Sequence, residues 1–144
     1  MSRISIEQKN IDWRAAHALV KAAVDYAESL DLKINVAVVD SGGHLAAFLR
    51  MPGSAFHSVD IAIDKAYTAM SFALPTSEWG PIADSLSATG KTALLSQDRL
   101  LACGGGVPLQ VDGQCIAAVG VSGASEKQDE EIARHAISML QQQS

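Results

Sequence analysis

The chain has 144 residues, 48% apolar and 19% charged, with a formal charge of −5 at neutral pH. These values suit one folded domain, residues 1–144, with a core of its own, and they exclude intrinsic disorder. Lys and Arg are scattered, which excludes the basic stripe of a nucleic-acid binder, and no apolar run approaches the ~20 residues that cross a bilayer.

The start, Met1-Ser2-Arg3-Ile4, turns polar at once and carries no apolar signal core. Cys103 and Cys115 are too few for a disulfide framework. The expectation is a cytoplasmic protein with reduced thiols and no membrane partner.

Ser5-Ile6-Glu7-Gln8 fits a capping box and predicts a long amphipathic helix from that point to about Leu30. Ile34 to Asp40 reads as a strand apolar on both faces, so both faces should be covered or one should meet another subunit. Ser41-Gly42-Gly43 turns the chain into a returning strand, His44 to Arg50. After Pro52-Gly53, Ser54 is placed to cap a second helix with the stripe Val59, Ala62, Ile63, Ala66, Ala69, Met70 and Ala73.

Thr76 to about Leu86 reads as a short, irregular helical stretch, and residues 87–98 show no clear pattern. Leu100 to Gly104 reads as an apolar strand. Val107 to Val111 and Gln114 to Gly120 flank Asp112-Gly113, a strong hairpin signal because a type I′ turn needs two positive φ angles. That register sets Cys115 opposite Gln110, away from Cys103. Ser125 and Gln128 form a second capping box before a final helix. The order α-β-β-α-(α)-β-β-β-α, with adjacent hairpins, predicts an α+β fold: an antiparallel sheet with packed helices.

Four segments carry a family resemblance in register across roughly residues 6–140. They are Val38-Val39-Asp40-Ser41-Gly42-Gly43 with Arg50-Met51, and Ile61 to Ala69 around Asp64-Lys65-Ala66. The others are Gly104-Gly105-Gly106-Val107-Pro108 with Asp112-Gly113, and Gly120-Val121-Ser122-Gly123 with Gln128 to Ala133. Together they resemble the GlcG/HbpS-like family, which includes the C-terminal domain of PduO-type proteins. The resemblance implies an α/β domain of the α+β type and a homo-oligomer, a dimer or higher, often an octamer. It also implies haem as the cofactor.

Haem iron takes an axial His, Cys, Met or Tyr, and propionates take basic or N–H donors. His57, with Asp60 and Asp64 at i+3 and i+7, is the leading iron ligand, and His17 beside Trp13 and Val20 is the runner-up. Arg50 or Lys65 is the propionate partner. Gly104, Gly105 and Gly106 lack side chains and are expected to open a recess beside the alanine-lined helix. His44 and His135 read as exposed. No CxxC or HExxH motif occurs, so no dedicated zinc site is expected.

Each residue also has a plainer reading. His57 and its carboxylates suit a solvated helix cap, His17 suits packing or an interface, and Cys103 suits a buried thiol. Lys65 suits an ion pair, and the glycines suit a tight corner packed near the second helix. Three functions remain open. One is a haem-binding small-molecule protein. Another is a small catabolic enzyme acting on an organic acid or imine, with Lys65, Asp40, Arg50 and Cys103 converging near Gly104–Gly106. The last is an accessory protein whose glycines only enable packing.

Overall fold

A computed structural model describes residues 3–143. Helix α1 (Trp13–Ser29) leads into strands β1 (Asn35–Asp40) and β2 (Leu45–Arg50), then α2 (His57–Phe72). A 3₁₀ turn, Thr76–Glu78, is followed by α3 (Trp79–Asp84) and α4 (Ala88–Leu95). The chain closes with β3 (Gly106–Val111), β4 (Gln114–Ser122) and α5 (Glu126–Gln142).

Among the described residues the four strands form one antiparallel sheet in the order β2-β1-β4-β3. The doubly apolar central strand has a direct cause. Val36 and Val38 face α1 and α5, packing with Leu19, Val20, Ile132 and Ala136. Ala37 and Val39 face the other way, onto Ala62, Ala66 and Ala69 of α2. The sheet is thus sandwiched between two helices on one face and one on the other.

Alanine lets α2 lie very close to the sheet. A Cβ at Gly120 would overlap the Ala62 carbonyl and press on Ala66. Asp112 and Gly113 both have positive φ, 51° and 78°, as the hairpin turn requires. Cys115 lies opposite Gln110, and both cysteines are free.

Three expectations change. The first helix begins at Trp13, where the Asp12 side chain accepts from the Arg14 amide at 2.8 Å, and not at Ser5. A cap alone cannot nucleate a helix with nothing to bury, and Ile4 and Ile6 are 96% and 73% exposed. Ser54 does not cap α2: it is buried, donating to Asn35 Oδ1 at 3.2 Å. Residues 100–104 form no strand. Side chains take their backbone groups instead: the Leu101 amide donates to Thr68 Oγ1 at 3.0 Å and the Gly104 amide to Glu126 Oε1 at 2.8 Å.

Candidate functional site

Lys65 projects from the sheet-facing side of α2, beside Ala62 and Ala66. Its Nζ donates to the Val121 carbonyl at 3.0 Å and to Asp129 Oδ2 at 3.2 Å. Both side chains are 3% exposed. The other Asp129 oxygen accepts from the Ala124 amide at 3.0 Å. Burial pushes the Asp129 carboxyl up, against the opposing pull of Lys65 and the Ala124 amide.

The glycine run wraps this pair. Gly105 has φ +135°, and a Cβ there would stand 2.5 Å from the Val121 oxygen and 2.7 Å from Lys65 Nζ. A Cβ at Gly106 would overlap the Lys65 carbonyl and crowd the Thr76 methyl. Thr76 Oγ1 instead accepts from the Gly106 amide at 2.9 Å. The space beside the glycines holds Lys65 and Thr76. In the sequence, Asp129 presents only as an acidic residue in the first turn of the last helix. A lysine on a sheet-facing alanine stripe signals a buried partner, but only the topology says which.

Of the remaining polar candidates, Cys103 lies close enough to feel Lys65 and Asp129, and Asp40 lies apart. Asp40 pairs across the sheet with Ala117 while Val121 pairs with Val36, four residues or about 13 Å along β4. Asp40 Oδ1 accepts from the Gly42 and His44 amides at 2.9 and 3.0 Å and lies 3.1 Å from His44 Nδ1. Burial raises its carboxyl, yet these bonds outweigh burial and hold it below the ordinary 3.8. Cys103 is partly buried, and burial pushes its thiol up against the lowering effect of Lys65. A raised thiol holds less thiolate, so its nucleophilicity is reduced.

The four histidines fall into two classes. His44 is held by Asp40, and His135 stacks on Tyr26 at 3.8 Å. His17 and His57 are exposed and have no hydrogen bond, ion pair or ring contact among the described residues. Each open imidazole has an exposed aromatic neighbour that carries an arginine. Trp13, 66% exposed, precedes His17 by one helical turn, with Arg14 4.9 Å from its ring centre. Phe56, 80% exposed, precedes His57, with the Arg50 guanidinium 5.6 Å from its ring centre. Arg50 also donates to the Ser54 carbonyl at 2.6 Å. Neither aromatic is legible as an anchor in the sequence, since its exposure depends on what the fold leaves uncovered.

Residues 11–138 match the model of the family described as haem degrading protein HbpS-like. The chain belongs to the HbpS-like family. Among HbpS-like relatives, the corrinoid adenosyltransferase PduO of Salmonella typhimurium is 33% identical over 130 residues. That match takes in 90% of this chain but only 39% of PduO. Protein ORFY of Klebsiella pneumoniae superposes with a TM-score of 0.90 at 30% identity, covering 98% of this chain and 97% of ORFY. A solved PduOC–haem complex superposes with a TM-score of 0.82 at 32% identity, covering 90% of this chain and 94% of that one. The ORFY and PduOC structures share this fold, an antiparallel sheet with packed helices. Among the described residues no helix is long and apolar enough to cross a membrane.

Proposed function

We propose that this HbpS-like chain binds haem on its surface through the open imidazole of His17. One observation carries the reading: Trp13 and His17, spaced i and i+4, share one face of α1, where the exposed indole carries the Arg14 guanidinium and the exposed imidazole has no partner among the described residues. An exposed indole offers apolar area for a flat macrocycle beside a nitrogen lone pair able to reach iron. The family match and the haem complex of a 32% identical neighbour support haem as the ligand. When bound, haem would supply iron-centred redox or ligand-exchange chemistry. The chain supplies the imidazole and the apolar contact.

His57 is the second reading, favoured by Phe56 and Arg50. Its own face of α2 carries Asp60, which has no partner among the described residues, and Asp64, which pairs with Arg99 at 3.2 Å. Carboxylates there oppose propionates, which reverses the order in which the sequence ranks the two histidines. Lys65, committed to Asp129, is not part of this proposal. Both exposed aromatics need cover, so the reading includes a homo-oligomer, a dimer or higher assembly such as an octamer, with haem between copies. Free Cys103 and Cys115 suit the reducing cytoplasm.

The test is the absorption spectrum of protein purified from haem-replete cells, read beside its native mass. A Soret band travelling with a mass of two or more chains plus haem supports the reading; colourless protein that hemin does not convert opposes it.

A further inference from the structure

Between α1 and α5 runs a groove in two adjoining chambers. One, about 540 Å³, is floored by Ile11, Leu109, Val111, Ile116 and Leu140. The other, about 420 Å³, is lined by Tyr26, Ser29, His135 and Met139. Ala18, Leu140 and Gln143 line both, at the junction. Each volume lies in the range of small-molecule sites. Asp12, Arg14, Gln141 and Gln143 rim the apolar floor of the first chamber, and polar side chains make up most of the second. Val111 and Met139 keep 39% and 36% of their surface exposed, so the fold leaves apolar area uncovered here.

Charge narrows the occupant. The charged residues that line the chambers are paired among themselves. Arg14 meets Asp12 at 3.2 Å, and Lys21 meets Asp25 at 2.7 Å. Among the described residues the groove therefore presents no unpaired ammonium or guanidinium for a carboxylate and no unpaired carboxylate for an amine. The Tyr26 hydroxyl is committed as donor to Glu131 at 2.6 Å. His135 stacks flat on that ring at 3.8 Å, and its ring nitrogens make no hydrogen bond among the described residues.

We propose that this groove is a second ligand site, separate from the histidine surface above, and that it takes an uncharged, elongated amphipathic molecule. The aliphatic or alkyl-aromatic body lies on Ile11, Leu109, Val111 and Ile116. A hydroxyl head reaches His135 and Ser29 past Ala18. Each buried methylene contributes about 0.8 kcal/mol, so chain length sets the affinity.

The test uses the neutral probe N-phenyl-1-naphthylamine with the full chain, its oligomeric state followed by native mass spectrometry. The expected result is fluorescence enhancement that 1-decanol reverses at concentrations about tenfold lower than decanoate near pH 8, with hemin no competitor. Ala18→Trp, which plugs the junction, should weaken binding by about tenfold or more. Val111→Asp, at a partly exposed floor position that tolerates polarity, should do the same and keeps the test valid if the tryptophan variant fails to fold. Four results each overturn the proposal: no enhancement, equal displacement by decanoate or hemin, undiminished binding in folded variants, or probe binding only on dissociation of an oligomer. The last would make the groove a contact between copies.

Discussion

The Lys65 ammonium stands 3.2 Å from the Asp129 carboxylate, and the two residues are 64 positions apart in the chain. The pair joins α2 to the first turn of α5 through β4, whose Val121 carbonyl takes another of the lysine's protons. Gly105 and Gly106 are glycines because this pair and the α2 backbone occupy the space where their side chains would be.

Breaking the pair should cost more than deleting it. Asp129→Ala or Lys65→Met leaves one buried charge uncompensated, a loss of about 3–5 kcal/mol. The double variant Lys65→Met with Asp129→Leu should lose far less than the sum, retaining the cost of the orphaned Ala124 amide and Val121 carbonyl. Urea unfolding of the two singles and the double checks this. Additive losses would mean that the two groups act independently.

The glycines divide sharply by surroundings. Gly120→Ala drives a methyl into the Ala62 carbonyl on the underside of α2. It should destabilise by about 3 kcal/mol or leave the protein insoluble. Gly80→Ala, in α3 with nothing within 4 Å of the added carbon, should be neutral or stabilise by up to about 1 kcal/mol. Thermal midpoints of both variants beside wild type decide it, and a similar loss at both positions would contradict the close approach of α2 to the sheet.

Asp40 governs part of the acid response. Its carboxyl lies below the ordinary 3.8 because amide and imidazole bonds outweigh burial. The folded protein therefore binds that proton less readily than the unfolded chain does. The contribution is complete above the unfolded value and disappears as pH falls through the folded one. Asp40→Asn should lower stability by about 1 kcal/mol at neutral pH and converge with wild type near pH 2. Urea midpoints at both pH values test the sign; a gap that does not change with pH would remove the carboxylate from the account.

Local chemistry made much of this architecture legible. Asp112-Gly113 specifies its turn through two positive φ angles, and the register that opposes Cys115 to Gln110 follows from it. The two-sided apolarity of β1 anticipates helices on both faces. The Ser125–Gln128 capping box forms as its spacing indicates, with both reciprocal bonds present. What failed were inferences from one local signal without burial behind it. Ser5-Ile6-Glu7-Gln8 has capping chemistry but no buried stripe before Ile11, so the helix waits for Asp12. Leu100 to Gly104 is apolar, yet Thr68 and Glu126, from elsewhere in the chain, take its backbone groups. The glycine run was legible as a place of close approach. That the approaching group is Lys65 itself, with its charge met by Asp129, depends on contacts about 40 to 64 residues apart. The exposure of Trp13 and Phe56 likewise follows from which surfaces the sandwich leaves open.

Hemin titration followed in the Soret region, with wild type beside His17→Ala and His57→Ala, tests the haem reading most directly. Wild type and His57→Ala should give the same shifted Soret maximum with saturation near one haem per imidazole site, while His17→Ala should lose the shift and bind about tenfold or more weakly. An unchanged spectrum and affinity in His17→Ala would contradict the assignment, and the same result in both variants would remove histidine ligation altogether.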